Sequence, residues 1–251
     1  MHQLLLRLRI ERDCAHERRY HRKIRGRLAQ AIDGTPYDNR DTRAAPFAFS
    51  DPMPYRPEHE AGDEIRLLVA ASSAGTLKTI AQDLHDAPEI TAGSMVMEAR
   101  AATPIETDVG PPGSSGTITT ASGACISIDD RQTYWSDRDN TMAEFRDALH
   151  ATVRGIVDNE TDVEPPETDP FEEYHHQKTY ALDVEITPAN DLTLVVSKFD
   201  FGYEVRDEHH RRVLNALLGT GIGAKRSYGF GCLQTREAGY RMDGREQEAV
   251  A

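Results

Sequence analysis

The sequence predicts an α+β protein built from two ferredoxin-like domains in tandem, each a βαββαβ (RRM-like) unit. Three observations carry this reading. Apolar residues alternate in short runs and recur at helical spacing in others, in the order strand, helix, strand, strand, helix, strand. The run Asp108-Val-Gly-Pro-Pro-Gly-Ser-Ser-Gly116 is the densest turn signal in the chain. After it the same order begins again. The predicted organisation is an N-terminal domain over 1–110, a C-terminal domain over 117–236 and a polar tail over 237–251.

In the first half, Leu6, Leu8 and Ile10 alternate with Arg7 and Arg9, giving a strand over 3–10 with one buried face. Ile24, Leu28, Ala31 and Ile32 share one side of a helix over 20–32, which Gly34-Thr-Pro36 ends. Pro46-Phe-Ala-Phe-Ser50 reads as a short aromatic strand. A strand over 64–70, a helix over 74–85 and a strand over 94–100 complete the unit. In the second half, 117–128 reads as a strand with a turn inside it. Phe145, Leu149 and Val153 mark a helix over 142–157. Strands over 178–187 and 192–201 form a hairpin around Pro188-Ala-Asn-Asp191. A helix over 208–218 and a final strand over 228–233 follow.

The 251 residues are 38% hydrophobic, enough for two cores. No apolar run nears the roughly 20 residues needed to span a bilayer, and charge interrupts the first leucines, so a cytoplasmic protein without a membrane partner is expected. Cys14, Cys125 and Cys232 are too dispersed for a disulfide framework or zinc site. His175-His176 and His209-His210 are adjacent pairs, a poor chelating pattern in a strand or a helix. Neither a metal nor a cofactor is predicted.

The net charge of −13 opposes a nucleic-acid partner, but its distribution does not. Residues 1–43 carry +5 and the remainder −18. Lysine is scarce: Lys23, Lys78, Lys178, Lys198 and Lys225 stand against 24 arginines. Abundant acid with arginine in place of lysine resembles proteins of salt-loving archaea. In that setting the acidic surface is a solvation device, and a retained basic segment calls for a phosphate-bearing ligand.

The sharpest motif is Gly219-Thr-Gly-Ile-Gly-Ala-Lys-Arg-Ser-Tyr-Gly-Phe-Gly231. Gly219, Gly221 and Ala224 satisfy a dinucleotide fingerprint, but a helix precedes them and a strand follows, the reverse of what that site needs. Ala224-Lys225-Arg226 breaks the Walker pattern. A helix C-cap at Gly219 explains one glycine of five. Glycines with Lys225, Arg226 and Ser227 let a backbone approach phosphates closely.

From Gly221 onward this segment follows the order G-x-G-x-[KR]-x-S-x-G-[FL]-G before the last strand. It resembles the glycine-rich loop of the CRISPR repeat-RNA endoribonucleases, within the RAMP superfamily. Tyr20-His-Arg-Lys-Ile-Arg-Gly26, Pro46-Phe-Ala-Phe-Ser50, Thr120-Ala-Ser122 and Tyr134-Trp-Ser-Asp137 resemble further family segments, so the similarity spans about 3–235. It implies two ferredoxin-like domains and metal-independent cleavage of precursor CRISPR RNA within repeats. The ribose 2′-hydroxyl attacks the phosphate, leaving a 2′,3′-cyclic phosphate and a 5′-hydroxyl. It implies repeat RNA as partner, with other CRISPR effector subunits possible. The implied RNA contacts are Gly219, Gly221, Gly223, Lys225, Arg226, Ser227, Gly229, Gly231, Lys23, Arg25 and Ser122. Because phosphate contacts weaken steeply with salt, base contacts to aromatics such as Tyr20, Tyr37 and Tyr228 are expected to carry more of the affinity in a salt-loving organism.

The reaction needs a base, an acid and a cation for the phosphorane. In many family members the catalytic histidine lies in the loop after the first helix. Here Tyr37-Asp-Asn-Arg-Asp-Thr-Arg43 has no histidine, and Arg40, which stays protonated, stands in its place. A sister branch uses a histidine opening the first helix, the place of His21. His21 reads equally as the proton-transfer group or as a phosphate contact; His16 is a weaker alternative. Arg40, Lys23 or Lys225 would steady the phosphorane, and Tyr37 completes the candidate catalytic set. The second reading, favoured by the missing loop histidine, is a non-catalytic RNA-binding RAMP subunit of an effector complex.

Overall fold

The computed structural model describes residues 2–38, 46–129, 133–187 and 190–236. Arg40 and the tail 237–251 lie outside the described residues. In chain order the elements are β1 (His2–Ile10), β2 (Cys14–Ala15), α1 (Tyr20–Ile32), β3 (Ala48–Phe49), β4 (Glu58–His59), β5 (Glu64–Ala71), α2 (Ala74–Asp86), β6 (Glu89–Ala92) and β7 (Met95–Glu106). Then come β8 (Ser115–Thr120), α3 (Met142–Glu160), β9 (Glu173–Thr187), β10 (Asn190–Glu204), α4 (Glu208–Thr220), a 3-10 turn (Arg226–Tyr228) and β11 (Leu233–Thr235).

The first sheet runs β3-β5-β1-β7-β6 and the second β11-β8-β10-β9, with antiparallel neighbours throughout. Without the β6 extension, both show the strand order of a ferredoxin-like unit, so the chain is two such domains. Three of the four helices have a local reason to start. Ser73 caps α2, Asp207 caps α4, and Thr141 with Glu144 forms a reciprocal capping box on α3. α1 starts without a side-chain cap and is held by burial of Tyr20, His21, Ile24, Leu28 and Ile32.

β1 differs from its prediction. Gln3, Leu4, Leu5 and Leu6 are all buried, so the strand is covered on both faces at its start. Leu4, Leu6, Leu8 and Ile10 enter the N-terminal core, whereas Leu5 joins Ala48, Leu68, Ala70, Ala121 and Cys232 in a seam between the halves. There the Gln3 amide donates to the carbonyls of Leu218 (2.9 Å) and Leu233 (2.7 Å). The 108–116 stretch is pinned as well. Asp108 pairs with Arg211 and accepts from Asn215, and Gly113 N–H donates to Val205 O at 2.7 Å.

Two further expectations fail, and one element appears that none foresaw. The final strand is only Leu233–Thr235, because Arg226–Tyr228 curls into a 3-10 turn with Lys225 and Gly229 in the left-handed region. The strand expected over 117–128 stops at Thr120 and continues only as single bridges. β6 goes unpredicted, because four residues are too few for alternation to register.

Candidate functional site

A cleft of 420 Å³ opens between the halves, lined from the first by His16, Arg18, Tyr20, His21, Asp51 and Tyr55 and from the second by Lys178, Tyr180, Leu182 and Lys198. α1 presents Tyr20 and His21 at its first turn, where the chain enters from the short β2–β4 ribbon.

His21 is 2% exposed. Its ring stacks on Phe230 at 4.7 Å and lies 4.2 Å from the Tyr20 ring. Its Nδ1 is 2.7 Å from the Tyr228 carbonyl, which can only accept, so Nδ1 carries the proton and Nε2 keeps a lone pair in the neutral ring. Burial lowers its pKa; the Asp51 charge and the Tyr228 carbonyl oppose that effect. Desolvation thus favours the neutral ring.

Asp51 bridges the halves. It accepts from Tyr20 Oη at 2.9 Å and pairs with Lys198 Nζ at 2.9 Å. Lys178 Nζ lies 5.3 Å from the centre of the Tyr180 ring and, among the described residues, forms no ion pair. His16 Nδ1 lies 3.0 Å from His59 Nε2, and burial with the neighbouring His59 brings the His16 pKa down to about 4. Tyr55 is 51% exposed, a large ring left at the cleft mouth.

The glycine-rich segment is built differently from its expected role. Gly219 is buried inside α4, and the helix ends at Gly221 (φ 75°), not Gly219. A Cβ at Gly221 would meet Gly231 O at 2.7 Å. At Gly223 it would meet Cys125 O at 2.6 Å, at Gly229 the Phe49 ring at 2.4 Å, and at Gly231 the Ile222 carbonyl oxygen at 1.8 Å. The glycines thus admit the protein's own backbone and ring, and valine at Gly221 or Gly223 could not leave the fold untouched.

Arg226 is 7% exposed, paired with Glu160 and donating to Thr220 O at 3.1 Å; its charge is committed inside the protein. Ser122 is fully buried, donating to Phe49 O at 3.3 Å and accepting from Cys232 N–H at 3.2 Å. Tyr37 packs against the N-terminal core, its ring over Gly75 at the start of α2, and does not line the cleft. Tyr20 is buried, its hydroxyl taken by Asp51. Lys23 is exposed on α1, about 200° around the helix from His21, and stands away from the cleft. Arg25 lies 4.5 Å over the Tyr228 ring, and Lys225 and Ser227 stay partly exposed.

Sequence reasoning missed Asp51, Tyr55, His59, Lys178, Tyr180 and Lys198. A signal existed for two of them: in a chain with five lysines, two face one cleft. Among the described residues no group of three or more His, Cys, Asp or Glu is placed to hold a metal. Nor is any helix long and apolar enough to cross a membrane.

Residues 111–235 match the family model described as CRISPR associated protein Cas6, C-terminal. The chain is 34% identical over 248 residues to a CRISPR-associated endoribonuclease Cas6 of Haloferax mediterranei, covering 91% of each chain. Two solved structures share its fold. One is an RAMP protein binding different RNA substrates (TM-score 0.68, 14% identity, 94% of this chain and 100% of that one). The other is the product of a Cas6-related gene from Pyrococcus furiosus (TM-score 0.67, 14% identity, 94% and 98%). With the full-length relative, the matched C-terminal half and the paired ferredoxin-like domains in agreement, the chain belongs to the Cas6 family.

Proposed function

We propose that the chain is an endoribonuclease that binds CRISPR repeat RNA and cuts precursor transcripts within the repeats. It does so without a metal, leaving 5′-hydroxyl and 2′,3′-cyclic phosphate ends. The observation that carries this reading is the cleft between the halves, where a buried, neutral imidazole stands opposite two lysines. The 34% identical Haloferax relative is named an endoribonuclease, which supports the same activity.

In this reading RNA lies across the cleft. Lys178 and Lys198 draw the scissile phosphate, and the charge that develops on the phosphorane is met in a partly dry site. His21 exchanges a proton through Nε2, its ring aimed by the hydrogen bond from Nδ1 to Tyr228 O and by stacking on Phe230. The glycine-rich loop acts through that carbonyl, as the part that aims His21. Lys225 and Ser227 at its surface, and Arg25 on α1, supply phosphate contacts. Arg40 keeps its proposed place as a phosphate clamp, and Tyr55 offers a base a stacking face at the mouth.

The test is cleavage of a synthetic repeat RNA in EDTA, with the product ends identified chemically. His21→Ala should lose about 100- to 10,000-fold in rate and keep its affinity. Full activity of that variant would remove His21 from the mechanism. The absence of a histidine from 37–43 favours a second reading, a non-catalytic RNA-holding subunit. Tight binding with no cleavage by the parent protein would select it.

A further inference from the structure

We propose that His16 is a second catalytic residue of this site, taking the proton of the attacking 2′-hydroxyl, and that His59 positions it. The inference rests on the cleavage reading above.

The β2–β4 ribbon stands apart from both large sheets and pairs Cys14 with His59 and Ala15 with Glu58. His16 follows directly, its N–H donating to Pro57 O at 2.9 Å. This brings two imidazoles into one buried contact, His16 Nδ1 to His59 Nε2 at 3.0 Å. Such a contact holds one proton, so one ring donates and the other accepts. His59 Nδ1 lies 3.7 Å from the Asp63 carboxylate, which draws the His59 proton to that side. His59 Nε2 then accepts and His16 Nδ1 donates. Among the described residues nothing hydrogen-bonds His16 Nε2, and His16 lines the cleft.

The arrangement repeats that of His21, where Nδ1 is tied to a protein acceptor and Nε2 is left for chemistry. The two rings flank one residue: the Tyr20 ring is 6.1 Å from His16 and 4.2 Å from His21. A transesterification needs both a proton acceptor and a proton donor, and no other histidine lines this cleft. A purely structural residue here could be apolar, with no buried ring nitrogens to satisfy.

The two rings face different surroundings. His16 meets His59 and Arg18, which disfavour a positive charge, and Asp51 and Glu17, which favour one; Tyr20 and Tyr55 complete its contacts. At His21 burial lowers the affinity for a proton, while the neighbouring Asp51 carboxylate and the Tyr228 carbonyl raise it. His16 is accordingly the base and His21 the acid. The 2′-hydroxyl proton passes to His16 Nε2 as the 2′-oxygen bonds to phosphorus. The phosphate entering the cleft, together with Asp51, favours protonation of His21 at Nε2 before the cut; the bond from phosphorus to the 5′-oxygen then breaks, and that oxygen takes the Nε2 proton of the imidazolium. Solvent then returns both rings to their starting forms.

The experiment is single-turnover cleavage of a synthetic RNA carrying the CRISPR repeat of the source genome, in EDTA, across pH. The proteins are the parent, His16→Ala, His16→Gln, His59→Gln and His21→Ala, each checked for folding by urea unfolding. His16→Ala should cut about 100- to 10,000-fold more slowly at unchanged RNA affinity, and added imidazole should restore part of the rate. His59→Gln removes a ring whose protonation competes with that of His16, so the limb of the profile that reports the base should move to higher pH. A merely structural histidine would show neither effect. His16→Ala and His16→Gln cutting within about threefold of the parent, while His21→Ala is slow, would overturn this inference alone. A slow His16→Ala that imidazole does not rescue, with an unmoved His59→Gln profile, would also overturn it. A folded parent that binds the RNA and never cuts it would overturn both this inference and the cleavage reading.

Discussion

Arg226→Ala removes a guanidinium that closes the C-terminal ends of two helices. Its terminal nitrogens pair with Glu160, the last residue of α3, and one donates at 3.1 Å to the carbonyl of Thr220, the last residue of α4. A cation at two helix C-termini is favourably placed in both dipoles. The two side chains are 7% and 9% exposed, so truncating one strands a buried carboxylate and a buried carbonyl. Breaking such a pair from one side costs about 3–5 kcal/mol. At a urea slope of about 2–3 kcal/mol/M, the midpoint should fall by about 1–2.5 M. Repeat-RNA affinity, measured by filter binding at a temperature where the variant is folded, should match the parent within about twofold, since the lost charge faces inward. Lys225→Ala is the contrast. That side chain is partly exposed, so stability should change by less than about 0.5 kcal/mol. The salt slope of RNA binding should drop by about one. An Arg226→Ala protein of parental stability with weakened, less salt-dependent binding would refute the reasoning and return Arg226 to the RNA surface.

Gln3→Leu leaves the Leu218 and Leu233 carbonyls without their donor in the seam, and each should cost about 1–3 kcal/mol; chemical unfolding that matches the parent would contradict the seam's role. Gly231→Ala combines φ +66° with an overlap on Ile222 O at 1.8 Å, so it should destabilise by more than the roughly 1–3 kcal/mol of the backbone conformation alone, read as a lower melting temperature. The His16 pKa of about 4 lies below the ordinary 6.5, so its contribution to stability is complete above pH 6.5 and is lost as pH falls. At about 1.4 kcal/mol per pH unit the loss by pH 4 approaches 3 kcal/mol. His16→Gln should flatten the acid side of the stability curve in urea titrations; an unchanged curve would show that His16 is freely hydrated.

Much of this protein was legible from local pattern. Helix spacing alone placed α1 at Tyr20–Ile32, because a stripe of Ile24, Leu28 and Ile32 is a property of consecutive residues. Two rounds of one strand–helix order implied two ferredoxin-like units, and the relatives agree. The glycine-rich segment pointed to its family because the residue order itself is the signal. What the segment does was not legible. A glycine that admits a phosphate and one that admits Phe49 or the Ile222 carbonyl look the same in sequence, and only the packed neighbour distinguishes them. The same holds for charge. Arg226 reads as a cation for RNA until Glu160, 66 residues earlier, is seen beside it. The cleft lay further out of reach. His16, Asp51, Lys178 and Lys198 share no motif and no helical or strand period. They meet because a two-residue ribbon, the first turn of α1 and the hairpin of the second domain converge on the seam. Sequence alone determined the four helices, the order of the main strands and the family. Tertiary packing decided which charges face inward and which imidazoles share a cleft, because burial and proximity are set by residues distant along the chain.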